Sequence, residues 1–284
     1  MTDTFRRFEI EQDHEAYPAC FFDVPEPPPV LYGIGNPDLL NPGLGVIGAR
    51  KATPYGRRCA RMFAGWAASH GQTVVSGAAI GCDQEAHLAA LEAQGATVAV
   101  LGCGADVDYP RRAGALLRDV RRRGVVVSEC PWGTPPQPWL FRKRNRLIAA
   151  LSRVLLVVEA SLPSGTFVTA EYALDAGREV CAVPGSILAP ECRGSNRLIR
   201  QGATPVTDVS ELALTLQADF QLCNPDYADS SRDELARALI ANPMRPDDAA
   251  RECELDIVET VRRISELELE GVIRKYPDGR YGSC

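Results

Sequence analysis

The feature that most restricts the fold of this chain is a repeated alternation. Six short apolar runs, LGVIG (44–48), TVVS (73–76), TVAVL (97–101), VVVS (125–128), VLLVVE (154–159) and EVCAVP (179–184), are separated by helical patterns near 54–70, 83–94, 111–123, 143–152 and 166–176. Strands that are apolar on both faces and alternate with helices require a parallel sheet covered on each side. Gly71, Gly95, Gly124 and Gly177 stand where these helices end and a left-handed C′ residue is expected. The fold class that follows is a doubly wound α/β domain. Regular structure is expected to begin near Leu44, because residues 1–40 show little periodicity and hold the stiff stretch VPEPPPV at 24–30.

A polar stretch at 219–232, DFQLCNPDYADSSR, reads as a linker. Helical patterns follow at 233–241, 246–252 and 256–270, then two short β-like pieces, GVIRKY and RYG, around the turn residues Pro277-Asp278-Gly279. Short helices followed by a hairpin suggest a winged helix. The expected organisation is an N-terminal extension (1–40), an α/β domain (41–218), a linker (219–232) and a winged-helix domain (233–284).

The formal net charge of -6 conceals a zoning. Residues 1–40 carry -6, residues 41–212 carry +6, and residues 213–284 carry -6. A basic middle segment points to an anionic ligand of the α/β domain, against the plainer reading of a mixed solvated surface. Its densest cluster lies in FRKRNRLIAALSRVLLVVEA (141–160), where Arg142, Lys143, Arg144 and Arg146 crowd around Asn145. The ten cysteines contain no CxxC pair, so they read as small core residues rather than zinc or dithiol ligands. There is no long uncharged apolar stretch and no signal-peptide core near the N-terminus, so a cytoplasmic protein without a membrane span is expected.

In a doubly wound sheet, ligands bind beyond the carboxyl ends of the strands. Those ends carry GARKATPYG (48–56), SGAAIGCD (76–83), LGCGADVDYP (101–110) and EASLPSGTFVTAE (159–171). A glycine turn running into a helix N-terminus offers backbone N–H groups to an anion. Any parallel sheet needs such turns, so each alone is weak; together they predict a phosphate-binding rim. None matches G-x-G-x-x-G or the P-loop pattern. PSGTFVTAE falls short of the nucleotide-cleaving pattern P-G-G-x-G-T-x-x-E, because Ser164 replaces a glycine and Glu171 comes two positions late. His14, His70 and His87 are far apart, and no nucleophile–base pair can be named. No catalytic residue, metal ligand or cofactor motif is assigned.

Seven segments, YPACFFDVPEPPPVLY, GVIGARKATPYGRRCA, VVSGAAIGCDQEAHLAAL, VAVLGCGADVDYP, FRKRNRLIAALSRVLLVVEA, SGTFVTAEYALDAGREVCAVPG and RGSNRLIRQGA, resemble in this order the DNA processing protein A family (DprA, or Smf). The C-terminal ISELELEGVIRKYPDGRY is similar to the winged helix that many members carry. The resemblance implies an extended Rossmann-like domain with a mostly parallel sheet. It also implies a homodimeric, single-stranded DNA-binding recombination mediator that protects incoming DNA and loads the RecA recombinase in natural transformation. The family's G-[SA]-R turn falls on Gly48, Ala49 and Arg50, its S-G turn on Ser76 and Gly77, and its basic block on Arg144, Asn145 and Arg146, with Lys143 beside it and Phe141 flanking. Two features depart from the family. Only some 40 residues precede the α/β domain, where many members have a helical domain, and Ile80 and Cys82 replace a basic and an aliphatic residue in the second turn.

Single-strand binders combine a cationic groove for phosphates with aromatic faces for bases. Arg50, Lys51, Lys143, Arg144 and Arg146 are therefore assigned to phosphates, helped by backbone N–H groups at Gly48, Ser76, Gly77, Ser164 and Gly165. Trp139, Phe141 and Tyr55 are the candidate stacking platforms. The rival readings are a nucleotide-processing enzyme using Glu171 and Asp83, and a winged-helix transcription regulator. The regulator reading suffers from the helix at 256–270, whose net charge of -3 would repel a phosphate backbone.

Overall fold

Each of the six apolar runs becomes a strand in the computed structural model, which describes residues 6–220, 234–253, 255–269, 273–276 and 278–283. The chain divides into two units, Met1–Phe220 and Gln221–Cys284. In the first, nine strands form one sheet: β1 (Arg7–Glu11), β2 (Val30–Gly35), β3 (Gly43–Ile47), β4 (Val74–Ser76), β5 (Thr97–Leu101), β6 (Val125–Ser128), β7 (Ser152–Val157), β8 (Glu179–Ala182) and β9 (Thr204–Pro205). Their order is β1-β2-β6-β5-β4-β3-β7-β8-β9. All pairings from β6 through β9 are parallel.

Seven helices accompany the strands: α1 (Pro54–Ser69), α2 (Cys82–Glu92), α3 (Gly114–Arg123), α4 (Pro138–Ala150), α5 (Thr166–Asp175), α6 (Arg193–Arg200) and α7 (Val209–Phe220). Phe63 of α1, Ala86 of α2 and Leu212 of α7 share one core with Leu44 and Val46 of β3. On the opposite face, Leu147 and Ile148 of α4, Ala170 of α5 and Leu198 of α6 pack with Ile47 and Val157. The chain winds outward from β3 to β6, then crosses back through α4 to β7 on the other side of β3. The loops after β3 and β7 thus leave neighbouring strands for opposite faces, and a crevice opens between them.

The N-terminal segment corrects the expectation of structure starting near Leu44. β1 pairs with β2, and β2 with β6, both antiparallel, so residues 7–35 extend the sheet. The proline-rich stretch conceals this because β2 begins directly after Pro29. The segment is held by Phe21 and Leu31, both 0% exposed, and by the Tyr17 hydroxyl, which donates to the Pro28 carbonyl at 2.8 Å. Burial pushes that phenol up to about 12.

Two of the four helix-ending glycines are also corrected. Gly71 and Gly177 adopt φ of 75° and 68°, as a C′ position requires. After α2, however, Gln94 takes the left-handed conformation, and Gly124 has a negative φ of -137°. Gly95 and Gly124 answer instead to close approach: a Cβ would lie 2.6 Å from the Ala68 carbonyl oxygen at the first and 2.2 Å from that of Thr97 at the second. The cationic block is displaced too. α4 begins at Pro138, well before 143, because proline suits the first helical position.

The second unit has helices at 234–241, 246–252 and 257–269, followed by the antiparallel hairpin β10 (Ile273–Lys275) and β11 (Tyr281–Ser283). Leu235, Leu239, Ile264, Leu267 and Ile273 form its core. The linker expected at 219–232 lies outside the described residues beyond Phe220, and its first two positions end α7; Pro277 of the turn is also outside them. Cys20, Cys59, Cys82, Cys103, Cys130, Cys181 and Cys192 are buried. No helix among the described residues is long and apolar enough to cross a membrane.

Candidate nucleic-acid interface

The loops at the crevice are braced before any ligand is considered. Thr53 caps α1, its Oγ1 accepting from the Gly56 N–H at 3.1 Å. Glu159, buried just after β7, accepts from the Thr53 N–H at 2.9 Å and its hydroxyl at 2.7 Å, so the loops after β3 and β7 are tied together. The loop after β4 is tied in as well. Gly81 adopts φ 101°, where a Cβ would collide with the Ala49 carbonyl oxygen at 2.2 Å. A Cβ on Gly48 would lie 2.6 Å from the Cys82 sulfur, so the small thiol at 82 lets these two loops close on each other. Arg50 and Lys51 are left exposed on this rigid support.

Helical periodicity sends the cations of α4 in different directions. Arg144 is 4% exposed and points toward the sheet, where its Nη1 donates to the Gly77 carbonyl at 2.9 Å and to the Val100 carbonyl. Burial lowers its pKa to about 10 while the Asp83 carboxylate opposes that shift, so the guanidinium stays charged at neutral pH. Asp83 accepts from the Ala79 N–H at 3.3 Å; burial raises its carboxyl, and Arg144 pulls the other way. Arg146, 3% exposed, leaves the opposite side of the helix and donates to Glu129 at 2.8 Å and to the Glu26 carbonyl at 2.8 Å. Lys143 also faces Glu129, at 3.1 Å.

Two cavities adjoin at the carboxyl ends of the strands. The larger, of about 470 Å³, is lined by Gly48, Ala49, Arg50, Lys51, Asn145, Ser164 and Gly165, together with Thr166, Thr169 and two acids, Asp83 and Glu191. The smaller, of about 290 Å³, is lined by Gly77, Ile80, Leu101, Tyr109 and Phe141. Arg50, Lys51, Ala79 and Arg144 belong to both walls. Tyr109 stacks on Phe141, with ring centroids 5.3 Å apart and planes 26° from parallel, and the Arg50 guanidinium lies 5.7 Å from the Phe141 centroid. One side of the shared cationic wall is polar, and the other is aromatic and apolar.

Several of the sequence assignments need correction. Ser76 is fully buried, and its hydroxyl donates to the Val46 carbonyl at 2.6 Å. Gly77 lines the smaller cavity and its carbonyl accepts from Arg144, so the second turn forms wall and floor. Arg146 and Lys143 line neither cavity, because a helix cannot aim four near-consecutive cations at one ligand. Trp139, 57% exposed, and Tyr55, whose hydroxyl donates to the Pro184 carbonyl at 2.8 Å, also lie outside both linings. So does Glu171. Residues the sequence reading missed are Tyr109, which stands in LGCGADVDYP as an exposed aromatic, and Ile80, whose apolar side chain suits the smaller cavity.

Comparison with known proteins places this geometry in context. The family model described as DNA recombination-mediator protein A matches residues 9–217, and the DprA winged helix domain matches 224–279. The chain is 38% identical over 283 residues to Protein Smf of Escherichia coli (strain K12), covering 95% of this chain and 76% of that one. It is 36% identical over 198 residues to the DNA processing protein DprA of Bacillus subtilis, covering 69% and 67% of the two. The X-ray structure of DNA processing protein A from Streptococcus pneumoniae matches with a TM-score of 0.69 and 35% identity, over 75% of this chain and 74% of that one. A structure of DNA processing protein A from Helicobacter pylori, described for its unique single-stranded DNA binding mode, matches with a TM-score of 0.69 and 29% identity, over 77% and 99%.

Proposed function

The chain belongs to the DNA recombination-mediator protein A family, and from that premise we propose that it is a non-catalytic, sequence-independent binder of single-stranded DNA. The observation that carries the proposal is the wall shared by the two cavities. Arg50, Lys51 and Arg144 stand between a polar space suited to sugar and phosphate and an aromatic space suited to a base. Stacking of a base on an aromatic ring contributes about 1–3 kcal/mol and does not depend on which base it is. The single-strand binding described for the Helicobacter pylori relative supports the same reading.

The wider role we propose is argued from family membership rather than from the cavities. In this proposal the protein acts in the cytoplasm as a homodimer, protects incoming DNA during natural transformation and loads a RecA-type recombinase. Binding without catalysis is preferred to nucleotide processing because Glu171, one of the two candidate acids, lies outside the cavity linings, while Asp83 is buried, accepts from the Ala79 N–H and feels the charge of Arg144.

The test is a salt titration of binding to single-stranded and duplex DNA of one sequence. The single strand is expected to bind more tightly, with log K falling by about 0.7 per phosphate contacted for each unit of log salt. Preference for duplex, strong dependence on base sequence, or release of product from nucleoside phosphates would overturn the proposal.

A further inference from the structure

We propose that the bound strand continues past the cavities onto the turn that enters α3, where Arg111 and Arg112 make an outer phosphate contact; this rests on the single-strand reading above. Many cations of the first unit are occupied by acids: Arg57 by Glu85, Arg121 by Asp108, Arg146 by Glu129 and Arg178 by Asp23. Arg50, Lys51, Arg111, Arg112, Arg142 and Arg193 are exposed and make no ion pair or side-chain hydrogen bond with described residues. All six follow the carboxyl ends of strands, β3 for the first two, β5 for the next two, then β6 and β8. Arg6, Arg58, Arg118 and Arg200 are equally exposed without such a bond but precede β1, lie within α1 or α3, or end α6. From β6 to β8 the sheet order spans five strand spacings. At about 4.8 Å each these amount to roughly 24 Å, so these unpaired cations are spread along the edge on which both cavities open.

Arg111 and Arg112 are singled out by their position. Tyr109 and Pro110, which line the smaller cavity, lead directly into them. The turn that carries them is fixed, because Ala113 is 1% exposed and its N–H donates to the Pro110 carbonyl at 2.7 Å. Arg121, Arg122 and Arg123 at the other end of α3 have an internal reason to be basic, since cations favour a helix C-terminus. Arg111 and Arg112 stand at the N-terminal end, where the helix dipole repels positive charge. They have no acidic partner among the described residues, so an external anion is what suits them.

The experiment compares the full chain with its Arg111→Gln/Arg112→Gln double variant, using oligothymidylates of about 5 nucleotides, near the lower end of typical single-strand sites, and about 20, beyond the upper end. On the long strand, two lost contacts remove about 1.4 from the salt slope, so near 50 mM salt the wild type binds at least about sevenfold more tightly, and the gap closes toward about 200 mM. Affinity for the short strand stays equal. The variant also melts no earlier than the wild type, because the removed charges oppose the helix dipole. Equal slopes on the long strand, an equal loss on the short one, or earlier melting overturns the inference. A wild type with no salt-dependent single-strand affinity overturns the underlying reading instead.

Discussion

The Arg144 guanidinium donates to the carbonyl of Gly77 at 2.9 Å, and a Cβ added at Gly77 would lie 2.6 Å from it. The absent side chain at 77 is therefore what lets a buried cation reach the floor between the two cavities. Gly77→Ala is expected to displace the guanidinium from the carbonyls of Gly77 and Val100 and to overpack the site, at about 1–3 kcal/mol. Urea unfolding should show that loss, and an oligothymidylate titration should show weaker binding, since Arg144 lines both cavities. If both measurements match the wild type, Arg144 has room to move and its seat is not specified by the glycine.

Arg50 and Arg146 should separate binding from folding. Arg50 is exposed and makes no ion pair or side-chain hydrogen bond, its guanidinium lying only over the Phe141 ring, so Arg50→Ala is expected to leave stability within about 0.5 kcal/mol. Its loss should remove about 1.5–3 kcal/mol of single-strand binding, the range for a charge-assisted hydrogen bond. Arg146→Ala does the reverse. It strips Glu129 of one of its two cationic partners, leaving Lys143, and frees the Glu26 carbonyl, at a cost of about 1–3 kcal/mol of folding stability. The folded fraction of that variant should bind normally. Anisotropy titrations paired with thermal melts decide the matter, and an affinity loss in Arg146→Ala equal to that in Arg50→Ala refutes the split.

This contrast also marks where the sequence was legible. β3 to β8 lie within a few residues of the apolar runs because a strand buried on both faces leaves no alternative pattern. β1 and β2 were hidden because antiparallel strands can leave one face to solvent and so need less hydrophobicity, and VPEPPPV resembles a tether. Arg50 was visible as a basic residue in a glycine turn at a strand end. The burial of Arg144 was not, since its partners Gly77 and Val100 lie 67 and 44 residues away and meet it only through the sheet order. Arg146 was misread for the same reason, its anchor at Glu26 being 120 residues distant.

His87 gives the fold a pH dependence with a definite sign. It is 0% exposed, its Nδ1 lies 2.7 Å from the Thr97 hydroxyl, and burial pulls its pKa down to about 3, with the charge of Arg144 acting in the same direction. An unfolded histidine titrates near 6.5, so below that value the unfolded chain binds a proton that the fold refuses. Stability from this group is intact above about pH 6.5 and falls by up to about 1.4 kcal/mol per unit as pH drops toward about 3. Asp83 works in the opposite sense, because burial raises its pKa and the fold gains as pH falls through the raised value. Both chains in a comparison with His87→Gln keep Asp83. Urea midpoints between about pH 7 and about pH 4 should decline less steeply in the variant; parallel declines would assign the acid sensitivity elsewhere.

The winged helix is expected to add little to single-strand affinity. On the helix at 257–269, Arg262 is held by Glu259 at 2.6 Å and by Glu266 at 3.0 Å, and Arg263 by Glu266 at 2.9 Å. Both arginines of that helix are thus engaged by its own acids, and Glu268 adds further negative charge. Phosphate neutralisation supplies most sequence-independent affinity for nucleic acid, and this surface has little to offer it. The two units divide at Phe220, where α7 ends, so a chain stopping there keeps the whole sheet and both cavities. Such a truncation should bind oligothymidylate within about tenfold of the full chain and with the same salt slope. A larger loss, or a slope reduced by one contact or more, would place phosphate contacts in the second unit despite its acidic helix.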